Sequence, residues 1–265
     1  MDIAPSAAAF AVMALAALLI GFSKTAIGGL GVVAVALFAA VLPARQSTAA
    51  ILTVLIVGDV VACWHYRRDP DWALIRRLLP AVLPGLLLGT AFLAVVDDTT
   101  LRRSIGGVLL VLLLLQLWSR TRQAERVATA GDRPEDATVA DAPAAGRRHP
   151  AGAWAAGTGM GFTTMTANAA GPVMTLYLSA LGIDKRRFVG TSAWFFLIVN
   201  LVKVPFSVGL GLLHGDDVAR AVLLAPLVLL GGLVGYATVA RLSQRVFDVA
   251  VLAASAVSAA ALLLG

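Results

Sequence analysis

One cysteine, three histidines and three lysines stand among 265 residues, and only 14% of the chain is charged. Each shortage excludes something. Cys63 alone makes neither a disulfide nor a thiolate metal site within one chain. His65 and His214 fall at the ends of apolar runs beside charged loops and read as interfacial, so no metal or cofactor is expected. The chain has no His-Glu-x-x-His, no Gly-x-Ser-x-Gly and no Gly-x4-Gly-Lys-Ser/Thr run, which removes zinc peptidases, serine hydrolases and phosphate-loop nucleotidases. Gly58-Asp59 lacks the Gly-x that an intramembrane aspartyl protease places before it. Soluble domains carry about one quarter charged residues, and this chain falls well short of that.

What it has instead is apolar length. Hydrophobic residues make up 59% of the chain. Apolar runs fall at 3–22, 26–42, 48–65, 78–96 and 104–118, then at 151–162, 169–181, 190–213, 218–240 and 246–264. Bilayer cores leave backbone groups no water to bond, so such runs must be helices. The sequence therefore predicts an all-α polytopic membrane protein with about eight membrane segments. Residues 1–6 carry Asp2 and no basic residue, which does not suit a cleaved signal peptide, so the first run is expected to be retained.

Between the two groups of runs lies a stretch rich in Ala, Asp, Glu, Arg and Pro and without aromatics, the composition of a disordered linker. The chain divides into residues 1–119, a linker at 120–150, and residues 151–265. The outer parts resemble each other. Pro80, Gly85 and Gly89 recur with the same spacing as Pro226, Gly231 and Gly235, and Gly21-Phe22-Ser23 matches Gly161-Phe162-Thr163. These matches predict two membrane repeats.

A net charge of +6 would suit nucleic acid, but the arginines sit in short clusters between apolar runs, as loop anchors do. Three crossings after Pro43 place ten arginines, around 66–77 and 119–150, on one side, against three near Arg45 and Arg102–Arg103. The positive-inside rule makes the ten cytoplasmic. Lys185, Arg186, Arg187, Arg241 and Arg245 share a side in the second part, against Arg220. The linker and the Lys185 loop then lie on one side, and 151–181 must enter and return as a re-entrant, broken helix pair. For 3–42 either two full spans or a re-entrant pair fits. The halves are inverted, with both termini outside the cytoplasm and the chain in the cell (inner) membrane.

Lys24 and Lys203 interrupt apolar sequence, and Lys203 lies roughly 20 Å along its helix, near mid-bilayer. A lysine at a helix centre costs about 2.5–3.5 kcal/mol on insertion scales, so these two are expected to face a protein interior; snorkelling to a headgroup is the bland alternative. Lys24 sits between Ser23 and Thr25, with Gly28 and Gly29 following. Glycines let a helix break and a ligand approach, and a second arm starting there aims amide groups at the break. The second half offers Thr163, Thr164, Thr166, Asn168 and Gly171. Asn200 shares a face with Lys203 at i,i+3. These are the parts of an anion site. Asp59, the carboxylate deep in an apolar run, either pairs with a lysine or carries a coupling proton.

The runs Gly21–Gly31 (GFSKTAIGGLG), Pro43–Thr48 (PARQST), Gly58–Arg68 (GDVVACWHYRR), Gly161–Pro172 (GFTTMTANAAGP) and Phe188–Ser207 (FVGTSAWFFLIVNLVKVPFS) resemble the TauE/SafE sulfite-exporter family over nearly the whole chain apart from the linker. Ala26 and Ala169-Ala170 stand where glycines are common in such runs. The resemblance implies a transporter of sulfite, sulfonates or related sulfur or carbon anions, built from two repeated halves whose glycine-rich segments line the path. A membrane scaffold, or an intramembrane enzyme without transport activity, is the competing class. The expected partners are a small anionic solute and the lipid bilayer; nucleic acid is not one, and a homo-oligomer stays open.

Overall fold

Apolar sequence with no water to satisfy its amides is expected to bond them locally, and among the described residues every regular element is a helix. The computed structural model describes residues 7–26, 31–130, 150–181 and 183–238. In order these form α1 (Ala7–Thr25), α2 (Gly31–Val41), α3 (Ala44–His65), α4 (Trp72–Val95) and α5 (Asp98–Ala130). Then follow α6 (Pro150–Ala167), α7 (Gly171–Ala180), α8 (Lys185–Gly209) and α9 (Gly215–Thr238). The apolar run expected at 246–264 and most of the linker, residues 131–149, lie outside the described residues.

Five of these helices, α1, α3, α4, α8 and α9, are long and apolar enough to cross a membrane. By contrast α2 and α7, with 11 and 10 residues, reach only about 17 and 15 Å, roughly half of a hydrocarbon core. Each follows a nearly full-length helix across a short break.

Two boundaries differ from the sequence expectation. The polar run 163–168, read as the gap between two arms, is helical as far as Ala167. Thr163 Oγ1 donates to the Gly159 carbonyl (2.8 Å) and Thr166 Oγ1 to that of Phe162 (2.9 Å), so the hydroxyls are satisfied within the helix and do not break it. The break is confined to Asn168–Ala170. Likewise α5 continues to Ala130, past the expected start of the linker, through Arg, Gln, Glu and Ala, all good helix formers.

Carboxylates fix the helix starts. Asp71 caps α4, accepting from the Leu74 amide at 3.1 Å, and Asp184 caps α8, accepting from the amides of Arg186 and Arg187. The start of α3 is capped from outside itself: Asp98, in the first turn of α5, accepts from the amides of Ala44 and Arg45. A carboxylate at a helix N-terminus meets both the orphan amides and the positive dipole end.

The most extensive packing joins α4 to α6 and α1 to α9. Both pairs come together through glycine. A β-carbon on Gly21 would strike the backbone of Val228 and Gly232 in α9; one on Gly161 would strike that of Val82 and Leu86 in α4. Reciprocally, Gly85 in α4 abuts Thr158 and Gly231 in α9 abuts Leu18, each three residues before Gly161 and Gly21 respectively. The same contact set thus occurs twice, each time joining the first helix of one part of the chain to a proline-containing helix of the other. Small residues that let backbones touch are how helices associate where lipid removes the hydrophobic drive. The paired helices hold α3 and α8 between them, and against those two the breaks are set.

Candidate functional site

Four broken-helix ends converge. The C-terminal ends of α1 and α6 and the N-terminal ends of α2 and α7 line one cavity, whose other wall is α8 with Leu55 of α3. Its empty space is about 750 Å³, the open mouth included. Ser23, Lys24, Ala26 and Gly31 line it from the first break, and Thr164, Asn168, Gly171 and Thr175 from the second. From α8 come Phe188, Ser192, Phe196 and Asn200, which recur at four-residue intervals and so share one helical face.

Each break is closed by its own side chains. In the first, Ser23 Oγ accepts from the Gly31 amide at 3.1 Å, satisfying an orphan N–H at the start of α2. Thr25 Oγ1 turns away from the cavity to donate to the Gly232 carbonyl of α9 at 2.8 Å, and Tyr66 Oη donates to the Thr25 carbonyl at 2.9 Å. In the second, Asn168 adopts a left-handed backbone, φ 49°, a conformation that asparagine tolerates better than most residues. Its Nδ2 donates to the Thr48 carbonyl at 3.1 Å, which leaves Oδ1 to accept from Lys203 at 2.5 Å.

Lys203 is 1% exposed and is not part of the cavity wall. Its ammonium also donates to the Thr164 carbonyl at 2.7 Å and lies 3.4 Å from Thr164 Oγ1. Three acceptors surround a group with three N–H donors, placed at the negative dipole end of α6. Lys203 therefore holds the α6 terminus and Asn168 in place from behind the cavity.

Lys24 differs. Its Nζ forms an ion pair with Asp59 Oδ1 at 2.5 Å, the two side chains being 16% and 0% exposed, and stands 4.7 Å from the centre of the Phe196 ring. Gly58 makes room for it: a β-carbon there would come within 3.2 Å of Lys24 Cγ. Asp59 Oδ2 accepts from Asn200 Nδ2 at 2.7 Å. Of the two readings open for Asp59, pairing with a lysine is the one the geometry displays, and the lysine is Lys24. Asn200, expected to share a face with Lys203, makes its hydrogen bond from helix to helix, to Asp59 of α3.

The sequence-predicted residues therefore separate into groups. Ser23, Lys24, Thr164, Asn168, Gly171 and Asn200 line the cavity. Thr25, Thr163 and Thr166 spend their hydroxyls on backbone carbonyls. Lys203 and Asp59 lie behind the wall, and Gly28 and Gly29 are outside the described residues. Ser192, Thr175, Phe188 and Phe196 were not foreseen. Ser192 Oγ and Asn200 Oδ1 are buried and make no hydrogen bond, which in a cavity wall marks polar atoms facing a place for a ligand or water.

A cationic group, a free hydroxyl and two helix N-termini around one space make an anion-binding arrangement. No curated protein and no solved structure matches the chain significantly. The family model described as Sulfite exporter TauE/SafE matches residues 13–262. This polytopic, all-helical membrane protein thus belongs to the TauE/SafE sulfite exporter family of membrane transporters.

Proposed function

We propose that the chain is a secondary transporter of a small anion, sulfite, an organosulfonate or a related sulfur or carboxylate anion, bound where the two helix breaks face one cavity. One observation carries the reading: Lys24 reaches the cavity wall between the ends of α1 and α2 while its counterion, Asp59, is fully buried. A fixed cation in an apolar interior is costly and marks a place where negative charge is handled. Lys24 supplies the charge, the hydroxyls of Ser192 and Thr175 orient the ligand, and Asn200 holds the Asp59 carboxylate beside Lys24. Lys203, Thr164 and Asn168 position the second break, while Thr25, Thr163 and Thr166 keep the arms helical and packed. The sequence holds no nucleotide-binding loop, so a solute gradient drives the movement.

The architecture belonging to this reading is two inverted halves, 1–119 and 151–265, in the inner membrane, with the arginine-rich loops cytoplasmic and both termini outside the cytoplasm. The recurrence of the α1–α9 contacts between α6 and α4 supports it. The test is flux into proteoliposomes of sulfite, methanesulfonate, sulfate and small carboxylates, by wild type and Lys24→Met. Flux of at least one anion, lost in the variant, is the expected outcome. Wild-type protein that moves none of them, or a Lys24→Met variant as active as wild type, overturns the reading.

A further inference from the structure

Among the described residues the charges around the cavity are few and can be counted. Lys24 and Lys203 are the cations acting on Asp59, and Asp59 is the carboxylate acting on both. The Cys63 thiol on the same helix also senses Asp59 and is an uncharged group. With both ammonium groups ionised, the three charges sum to +1. The buried pair Asp217–Arg220 (2.8 Å) neutralises itself and adds nothing.

Asp59 is the informative member. An anion site needs no carboxylate, and burying one is costly unless it is paired. Here it is 0% exposed, held between Lys24 and Asn200, and it is not itself part of the cavity wall. The Lys24 ammonium is thus already paired with a carboxylate when an anion arrives. Asn200, a residue of the cavity wall, donates an N–H to Asp59 and carries a buried, unpartnered acceptor in Oδ1. Both features work against a second negative charge on the ligand, since like charges in a low dielectric disfavour each other strongly.

Resting on the transporter reading, we propose that Asp59 sets the valence of the anion the site accepts: monoanions enter, and dianions are rejected. A monoanion brings the buried charge to zero, whereas a dianion leaves it negative, beside a carboxylate and an amide oxygen. Asp59 is then a specificity-determining residue that acts through Lys24, and no proton or bond need change hands for it to do so.

The experiment uses the full chain in proteoliposomes, with methanesulfonate (a monoanion at every pH tested) and sulfate (a dianion) as probes. Wild type is expected to move methanesulfonate and to ignore a tenfold excess of sulfate. Asp59→Asn, which keeps the shape and removes the charge, is expected to shift preference toward sulfate at least tenfold, read as inhibition of methanesulfonate flux. An active Asp59→Asn protein with unchanged preference overturns the proposal. Should that variant fail to fold, wild type decides alone. Sulfite passes from monoanion to dianion around neutral pH, so its flux, divided by that of methanesulfonate at the same pH, must fall as pH rises; a ratio that rises or stays level overturns the proposal. Wild type that moves sulfate as readily as methanesulfonate sinks the valence rule and leaves the transporter reading standing, whereas absence of all flux sinks both.

Discussion

Tyr66 and Lys203 perform the same task at two different helix breaks. Tyr66 Oη donates to the carbonyl of Thr25 at the end of α1, and Lys203 Nζ donates to the carbonyl of Thr164 in the last turn of α6. A helix ending inside protein, away from water, leaves four carbonyls without intrahelical donors. Each break borrows one donor from the long helix packed beside it, Tyr66 at the C-cap of α3 and Lys203 within α8. One donor is neutral and the other cationic, so the two breaks are held alike by donors of different charge.

The pair predicts unequal losses. Tyr66→Phe orphans one buried carbonyl, at a cost of about 1–3 kcal/mol. Lys203→Met orphans Asn168 Oδ1 and takes one of two donors from the Thr164 carbonyl, which keeps the Asn168 amide. It also frees an asparagine whose left-handed backbone needs support, so its loss is expected to be the larger. Thermal unfolding in detergent is expected to rank wild type above Tyr66→Phe, and Tyr66→Phe above Lys203→Met. A Lys203→Met protein as stable as wild type but unable to bind anions would show that Lys203 acts on the ligand and not on the break.

The Lys24–Asp59 pair predicts strong coupling. Removing Lys24 alone strands a fully buried carboxylate and is expected to cost about 3–5 kcal/mol. The double variant Lys24→Met, Asp59→Asn replaces a buried pair by neutral groups and is expected to recover most of that stability. Transport is expected to stay lost in the double variant. Denaturant unfolding of the four proteins of the cycle gives the coupling energy; additive losses would mean that the two side chains are not paired in the membrane.

These contacts show what was legible beforehand. Lys24 and Lys203 stood out because a lysine in an apolar run is rarely accidental, and the glycines that make the recurring helix contacts stood out because proline and glycine recur at fixed spacing. Which lysine pairs with Asp59 was not legible, since the order of helices around the cavity is set by glycine contacts between α1 and α9 and between α4 and α6. The roles of the hydroxyls were also hidden: Thr25 and Ser23 are two residues apart, yet one bonds a neighbouring helix and the other caps α2. Ser192 carried no signal as one serine in an apolar helix, although its four-residue steps to Phe196 and Asn200 form a stripe that helical periodicity could have found.

Topology gives a third prediction. Thr99 in the first turn of α5 and Arg67 after α3 are both exposed and lie at opposite ends of α4. In a Cys63→Ala background, Thr99→Cys is expected to react with a membrane-impermeant maleimide on intact cells, and Arg67→Cys only after permeabilisation. The reverse pattern would invert the proposed orientation without altering the site.

The glycine contacts give the last and sharpest prediction, because they separate packing from helix propensity. Alanine is favoured over glycine within a helix by about 1 kcal/mol, so a glycine replaced where nothing stands against it should leave the protein as stable or slightly more so. Gly159 in α6 is such a position, with open space where its β-carbon would lie. Two residues on, Gly161 faces the backbone of Val82 and Leu86, and in the other pair Gly21 faces that of Val228 and Gly232. Backbone cannot rotate aside as a side chain can, so alanine at either place must push two helices apart along their whole contact. Overpacking of this kind costs about 1–3 kcal/mol or more. Gly21→Ala and Gly161→Ala are therefore expected to lower the unfolding temperature in detergent by similar amounts, with Gly159→Ala level or raised. Similar losses at Gly21 and Gly161 would reflect the recurrence of one contact in two helix pairs. A harmless Gly21→Ala beside a damaging Gly161→Ala would mean that only α4 and α6 are locked and that α1 is free to slide on α9.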